Sequence, residues 1–189
     1  NIMERTADTL ENCVTDLEEK SCEKQTARSD AVLYNLFSAL KYRVDVDECS
    51  TRRYYNSANQ LHCDEGPAIV RMDGSLAWHQ NGKLHRTDGP AIEYASGKKE
   101  WWQNDQRHRT DGPAVERADG TKEWYQNGLR HRTDGPAMTH PDGFSVWYRN
   151  GQRHREDGPA IIREDGGKEW WQNDQRHRTD GPAVVHANG

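Results

Sequence analysis

Histidine, arginine and aspartate recur together at a fixed spacing, a combination that could ligate a metal or carry acid–base catalysis. The pattern His-Arg-x-Asp-Gly-Pro-Ala occurs five times, and the step from one copy to the next is constant (108 − 85 = 23). Its histidines and aspartates are His85, His108, His131, His154 and His177, and Asp88, Asp111, Asp134, Asp157 and Asp180. A degenerate copy begins at His62. So strict a period is typical of a tandem-repeat protein.

Neither a metal site nor a hydrolytic site is expected from these residues. Equivalent side chains of adjacent units should lie two strands apart, roughly 9.5 Å, whereas metal ligands converge on one ion at about 2 Å. No serine or cysteine recurs beside the histidine as a nucleophile. We therefore predict no enzyme activity, no metal and no cofactor. The repeated residues are interpreted as structural, with Arg86 and Asp88 pairing to the adjacent unit and His85 bonding the connector backbone.

Two turn signals in each unit predict antiparallel β-hairpins. One is Asp-Gly, Ser-Gly or Asn-Gly, as at 73–74, and the other is Asn-Gly or Asn-Asp, as at 81–82. Such dipeptides tolerate positive φ and suit two-residue turns. Between them, Ser75 to Gln80 has the length of one strand, and Pro90 to Tyr94 forms another. Each unit is thus predicted to be a hairpin plus a connector, with Gly89 supplying a backbone geometry closed to other residues.

The pattern Trp-x-x-Asn-Gly-x-x-His-x-x-x-Gly, carried by about residues 51–189, resembles the MORN repeat family, most of all its bacterial and viral variant. The resemblance implies an elongated, twisted antiparallel sheet of stacked hairpins and a scaffold or interaction role. MORN units usually have glycine directly after the histidine, whereas this chain has arginine, for example Arg86. We therefore do not carry over the lipid binding proposed for some MORN proteins.

The first fifty residues differ from the repeats and are predicted to be helical. Met3, Leu10 and Leu17 form a heptad-like stripe, and Ser29-Asp30 could cap a second helix. The predicted domains are thus 1–50, a helical cap or oligomerisation element, and 51–189, the repeat array with a degenerate first unit at 51–73. The predicted fold class is mainly β, an elongated single-sheet array of hairpins with an α-helical N-terminal region.

Two aromatic columns run through the array. The invariant one is Trp78, Trp101, Trp124, Trp147 and Trp170, and the variable one beside it is His79, Trp102, Tyr125, Tyr148 and Trp171. Adjacent strand residues point to opposite faces, so we assign the invariant column to the core and the variable column to a more exposed face. The flanking arginines are Arg107, Arg130, Arg153 and Arg176. Because interfaces favour Trp, Tyr and Arg, the variable column and these arginines are the predicted partner-binding surface.

The function predicted from the sequence is a non-catalytic protein–protein interaction module or scaffold that binds a protein along the repeat sheet. A narrower version, drawn from the resemblance, is a phage or viral protein that inhibits a host defence factor. The alternative is a nucleic-acid- or lipid-binding repeat protein, with bases stacked on the aromatic column. Residues 51–189 hold 26 − 6 = 20 basic and 31 − 11 = 20 acidic residues. This balance gives little attraction to polyanions, so neither nucleic acid nor membrane is the expected partner.

Self-association and location are also predicted. A homo-oligomer could form through residues 1–42 or through the strand edge at the C-terminal end of the array. The four cysteines have no zinc-like spacing, and the sequence contains no signal peptide and no apolar run able to span a bilayer. Free thiols in the cytoplasm, the host cytoplasm if the protein is viral, are therefore expected.

Overall fold

The computed structural model describes residues 41–187, and their regular structure is almost entirely β. The predicted heptad stripe and helices fall in residues 1–40 and lie outside the described residues. The predicted helical region ended at residue 50, but Arg43–Val46 is a strand that pairs antiparallel with Arg52–Tyr55. The β unit begins at Tyr42. The repeat sheet therefore extends further towards the N-terminus than the predicted boundary.

Residues 41–187 form 23 strands, β1 to β23 in chain order, and thirteen of them share one antiparallel sheet. In chain order the strands are β1 Arg43–Val46, β2 Arg52–Tyr55, β3 Ile69–Val70, β4 Leu76–Ala77, β5 His79–Gln80, β6 Lys83–Leu84, β7 Ile92–Glu93, β8 Lys99–Glu100, β9 Trp102–Gln103, β10 Gln106–Arg107, β11 Val115–Glu116, β12 Lys122–Glu123, β13 Tyr125–Gln126, β14 Leu129–Arg130, β15 Met138–Thr139, β16 Ser145–Val146, β17 Tyr148–Arg149, β18 Gln152–Arg153, β19 Ile161–Ile162, β20 Lys168–Glu169, β21 Trp171–Gln172, β22 Gln175–Arg176 and β23 Val184–Val185. The long sheet has the spatial order β1-β2-β3-β4-β7-β8-β11-β12-β15-β16-β19-β20-β23.

The remaining strands form five two-stranded hairpins, one per unit: β5–β6, β9–β10, β13–β14, β17–β18 and β21–β22. The predicted single sheet and the predicted strand from Ser75 to Gln80 are therefore wrong in detail, because this run divides at Trp78. The Trp78 N–H donates to the Ala91 carbonyl at 2.8 Å, towards the long sheet, while the Trp78 carbonyl accepts the His85 N–H at 3.1 Å. Each invariant tryptophan thus links the long sheet to a short hairpin, and the predicted connector is partly strand.

Both predicted turns are present, but only the Asn-Gly or Asn-Asp turn has the predicted two-residue form, since Arg71 and Ser75 enclose three residues at the other turn. Asn81 and Gly82 have φ of 49° and 83°, and Asn104 and Asp105 have φ of 51° and 64°. Two consecutive positive φ values are what a tight two-residue hairpin requires. At the other turn, Gly74 has a φ of 87°, and the carboxylate of Asp73 accepts the Ser75 N–H at 2.8 Å.

The two faces of the long sheet differ in burial. Ile92, Glu100, Val115 and Glu123 follow one another in register on one face, the inner face. Fully buried alanines follow the first five Gly-Pro pairs. The carbonyl of the first of them accepts the Tyr54 N–H, and the carbonyls of the other four accept the N–H of Trp78, Trp101, Trp124 and Trp147. These alanines are Ala68, Ala91, Ala114, Ala137 and Ala160. The thin core is therefore built from small and branched side chains, and it also contains acidic residues.

Candidate interaction surface

The variable aromatic column lies inside the array, so the prediction that it faces solvent is wrong. His79 and Tyr125 are buried, and Trp102, Tyr148 and Trp171 are half-buried. The invariant tryptophans are half-buried as well, so invariance does not mark the more buried column.

Three buried glutamates explain why the variable column turns inwards. Glu100, Glu123 and Glu169 lie on the inner face and are at most 3% exposed. Each accepts a hydrogen bond from the polar atom of the aromatic residue two positions later. The donors are Trp102 Nε1 to Glu100 at 2.9 Å, Tyr125 Oη to Glu123 at 2.9 Å, and Trp171 Nε1 to Glu169 at 3.1 Å. Buried carboxylates need such partners, so these aromatics serve the fold.

Three of the four arginines predicted to contact a partner are directed to the same carboxylates. Arg107 Nη2 lies 3.2 Å from Glu100, Arg130 Nη2 lies 2.7 Å from Glu123, and Arg176 Nη2 lies 3.5 Å from Glu169. A second cation completes each cluster: Lys98 at Glu100, Arg117 at Glu123 and Arg163 at Glu169. The arginines also stack near the aromatic rings, as Arg107 does at 5.0 Å from the Trp102 ring centre. Most of the predicted contact surface is therefore engaged internally.

The Glu123 cluster has the strongest electrostatic signature. Burial by itself would raise the pKa of Glu123, but hydrogen bonds from Arg117, Arg130 and Tyr125 outweigh burial and hold the pKa at about 2. The pKa values of Glu100 and Glu169 are also lowered, again because nearby cations and an indole N–H outweigh burial. These carboxylates therefore stay ionised inside the array. The sequence signal that could have revealed them is the triplet Lys-Glu-Trp, which occurs at 99–101, 122–124 and 168–170.

Of the five full units, two carry Ala77 and Val146 where the other three have the buried glutamate. In each case the next unit has Asn-Asp at its second turn. Asp105 follows Ala77 at the same interval as Asp174 follows Val146 (105 − 77 = 174 − 146 = 28). Asp174 Oδ1 accepts from Arg153 Nε at 2.7 Å and from the Arg153 N–H at 3.1 Å. Asp105 Oδ1 accepts the Leu84 N–H at 2.8 Å. Arg153, which has no buried glutamate, thus obtains its carboxylate from the next unit.

The His-Arg-x-Asp residues form a clamp of two parts. Arg86 stacks on Trp78 with its Cζ 3.9 Å from the ring centre, and its Nε donates to Asp88 at 2.8 Å. The predicted pairing of Arg86 and Asp88 with the adjacent unit is therefore wrong, because the arginine side chain folds back over its own unit. His85 makes the link between units instead, since its Nδ1 accepts the Asn104 N–H at 3.3 Å.

The glycine of Asp-Gly-Pro is required for space rather than for φ. A Cβ on Gly112 would lie 2.9 Å from Cζ of Arg109, and Gly112 is not among the positive-φ residues. The predicted role of Gly89 is corrected in the same way, because a Cβ there would also lie 2.9 Å from Cζ of Arg86. Glycine therefore lets the guanidinium lie flat against the backbone.

Changing Gly112 to alanine is expected to destabilise the array by about 1–2 kcal/mol, because the arginine must leave hydrogen bonds that contribute about 1 kcal/mol each. In an Arg109→Ala background the same change should stabilise by up to about 1 kcal/mol, because alanine restricts the unfolded chain. Urea unfolding of the four proteins of this double-mutant cycle measures both signs. Equal destabilisation in both backgrounds would contradict the steric account.

The row of His-Arg-x-Asp-Gly loops is an exposed surface that is repeated in five successive units. The aspartates of this row have side chains between 75% and 83% exposed, although each accepts an arginine Nε. A cleft of about 550 Å³ lies between two successive loops, with Asp134 and Pro136 in one and Glu156 and Asp157 in the other, and Trp147 also lines it. This unit is distinctive, because Glu156 replaces the usual threonine and accepts from Arg149 at 3.2 Å.

Within residues 41–187, no three His, Cys, Asp or Glu side chains are grouped so that they could hold a metal ion. The same part of the chain contains no helix with the length and apolar character needed to cross a membrane. Cys63 is buried and Cys49 is exposed. No protein-family model matches the sequence, and no curated protein matches it.

Proposed function

We propose that this chain is a non-catalytic protein-interaction module that binds a protein partner along the row of His-Arg-x-Asp-Gly loops. The observation that supports this is the repetition of one exposed, clamped loop in five successive units. The arginine Cζ lies between 3.8 Å and 4.3 Å from its tryptophan ring centre in all five. A surface held this uniformly loses little conformational entropy when it binds, which favours affinity.

The partner's contact surface is expected to be basic. The hydrogen bond from Arg109 lowers the pKa of Asp111, and the other aspartates of the row are affected in the same way by their own arginines. The row therefore remains ionised over the physiological pH range. Complementary charge steers association and disfavours wrong partners. The carboxylates are the most exposed charged groups of the loops, although each is paired with its own arginine. They disfavour the phosphates of nucleic acid or lipid, so a protein surface with basic side chains, such as that of a host factor, is the better candidate.

Adding positive charge to the loop row without disturbing the clamp tests this proposal. Thr110 and Thr133 are exposed loop residues next to the clamped aspartates, and the double change Thr110→Lys and Thr133→Lys adds two positive charges there. Pull-down from the native host should lose the partner with this variant. Ala95→Lys with Ala118→Lys is the matched control, because these exposed residues lie in the turns of the long sheet.

Equal capture by the two variants would show that the loop row is not the interface. Capture lost by both would point to net charge rather than to the loops. Binding to DNA, RNA and anionic vesicles at low salt tests the alternative of a nucleic-acid- or lipid-binding protein. Salt-sensitive binding to any of them would replace the protein-partner proposal.

A further inference from the structure

The unit that carries Ala77 lacks the carboxylate that the next unit has at Glu100. Ala77 is paired in register with Ile69 and Ile92, as Glu123 is paired with Val115 and Met138. Alanine lacks the Cγ, Cδ and both Oε atoms of glutamate, a group with the heavy atoms of acetate. Val146, in the other exceptional unit, fills part of the equivalent space with its own methyl groups and is buried.

Two of the groups that would bind this carboxylate are still in place. His79 occupies the aromatic position of Tyr125, is 9% exposed, and its buried Nδ1 has no hydrogen-bond partner. Arg71 occupies the position of Arg117, and the described residues give its side chain neither a hydrogen bond nor an ion pair. Buried polar atoms in folded proteins are nearly always hydrogen-bonded, and a carboxylate beside Ala77 would give this nitrogen a partner.

We propose that an external carboxylate binds beside Ala77, held by Arg71 and His79, where Glu123 lies in its own unit. The ligand class is a group of acetate size: an aspartate or glutamate side chain, a C-terminal carboxylate or a small organic acid. The site lies close to solvent, because the side chains that cover the equivalent carboxylates are themselves exposed. These side chains are Arg117 and Arg163, which are 46% and 53% exposed. This site does not depend on the partner-binding role of the loop row.

The surrounding charges make binding dependent on a proton. Burial lowers the pKa of His79, and the positive charge of Arg71 lowers it further. The hydrogen bond to the Ala77 carbonyl and the negative charge of Asp105 raise it by less. Leu84 stands where Arg130 binds Glu123, so the third donor is absent. The charges of Arg71 and Asp105 cancel. The charge of an added anion is therefore balanced only if the His79 ring becomes imidazolium. The carboxylate should therefore bind together with one proton, and its affinity should rise as the pH falls towards the pKa of His79.

Titration with sodium acetate, against sodium chloride at matched ionic strength, tests the site on the full chain. The readout is the ring NMR signals of His79, which should shift with acetate and report protonation at a higher pH than in chloride. The backbone amide signal of residue 77 is the second readout, and it also serves for the variant that lacks the imidazole ring. Ala77→Gln fills the space without charge, and Ala77→Glu supplies an internal carboxylate. Both variants, and His79→Phe, should weaken acetate binding at least about tenfold, which corresponds to about 1.4 kcal/mol.

Further titrations distinguish the type of anion and the source of the carboxylate. Inorganic phosphate tests whether any anion suffices, and tighter binding of phosphate than of acetate would overturn the carboxylate assignment. A capped peptide with an internal aspartate, compared with a peptide that has a free C-terminal carboxylate, distinguishes a side chain from a chain terminus. Acetate that moves the His79 signals no further than chloride, or that binds Ala77→Gln as well as the unaltered protein, would refute the site.

Discussion

Replacing Glu123 with glutamine is expected to destabilise the repeat array by roughly 3 kcal/mol at neutral pH, from a pKa shift of 4.5 to about 2 at about 1.4 kcal/mol per unit. Glutamine keeps the shape of the side chain and removes its charge. Arg117 and Arg130 then keep their positive charges beside a buried amide, and breaking a buried pair on one side is typically costly. Urea unfolding at pH 7 measures the loss.

The same substitution should alter the acid response of the protein. The folded pKa of Glu123 lies below its ordinary value of 4.5, so its contribution is fully present above about pH 4.5 and is lost as the pH falls to about 2. The difference in stability between the unaltered protein and Glu123→Gln should therefore shrink across this interval. Glu100 and Glu169 respond in both proteins and cancel in the difference.

Glu164→Gln is the matched control, since Glu164 is exposed and most surface changes fall within about 0.5 kcal/mol. A difference for Glu123→Gln that stays constant down to pH 2 would show that the carboxylate is not what stabilises this cluster. Equal free energies of unfolding for the unaltered protein and Glu123→Gln at pH 7 would show that the ion pairs of Glu123 only offset the cost of its burial.

The hairpins could be predicted from the sequence because their determinants are local. Asn81-Gly82 and its equivalents specify positive φ at two adjacent residues, and this does not depend on what packs nearby. The division of the strand at Trp78 could not be predicted in this way. It depends on two backbone hydrogen bonds, to Ala91 and from His85, whose partners are not neighbours of Trp78 in the sequence.

The prediction of which aromatic column is more buried failed for a different reason. Alternation shows that Trp124 and Tyr125 face opposite ways, but it does not show which face is covered. The invariant tryptophan is constant because an arginine stacks on it in every unit, as Arg132 does on Trp124 at 4.1 Å. The variable aromatic is Trp or Tyr in the three units where it donates to a buried glutamate, so this position needs a hydrogen-bond donor inside the array.

The exchange of glycine for aspartate in the second turn has a similar explanation. Asp174 looks like an ordinary turn residue in its own unit, and its partner Arg153 belongs to the unit before it. Val146, which lacks the carboxylate, lies in that earlier unit too. Such matches become visible only when successive units are stacked, because the residues that compensate for each other belong to different units.

Replacing Arg109 with lysine is expected to cost about 2–3 kcal/mol, nearly as much as replacing it with alanine. Arg109 stacks on Trp101 at 4.0 Å, and its Nη1 donates to the Pro113 carbonyl at 3.2 Å and to Glu116 at 3.1 Å. A stacked cation contributes about 0.5–1 kcal/mol and each hydrogen bond about 1 kcal/mol. Lysine keeps the charge but has no planar fork that can stack and donate in several directions.

The variant Asp111→Asn tests how much the ion pair with Arg109 contributes to stability, apart from the stacking of Arg109 on Trp101. Asp111 is 80% exposed although it accepts from Arg109 Nε at 3.0 Å, and exposed ion pairs contribute about 0–1 kcal/mol. This variant should therefore lose much less stability than Arg109→Lys in the same urea unfolding experiment. If lysine preserved stability while Asp111→Asn did not, the clamp would be a charge pair, and the stack on Trp101 would not be the reason that arginine recurs in every unit.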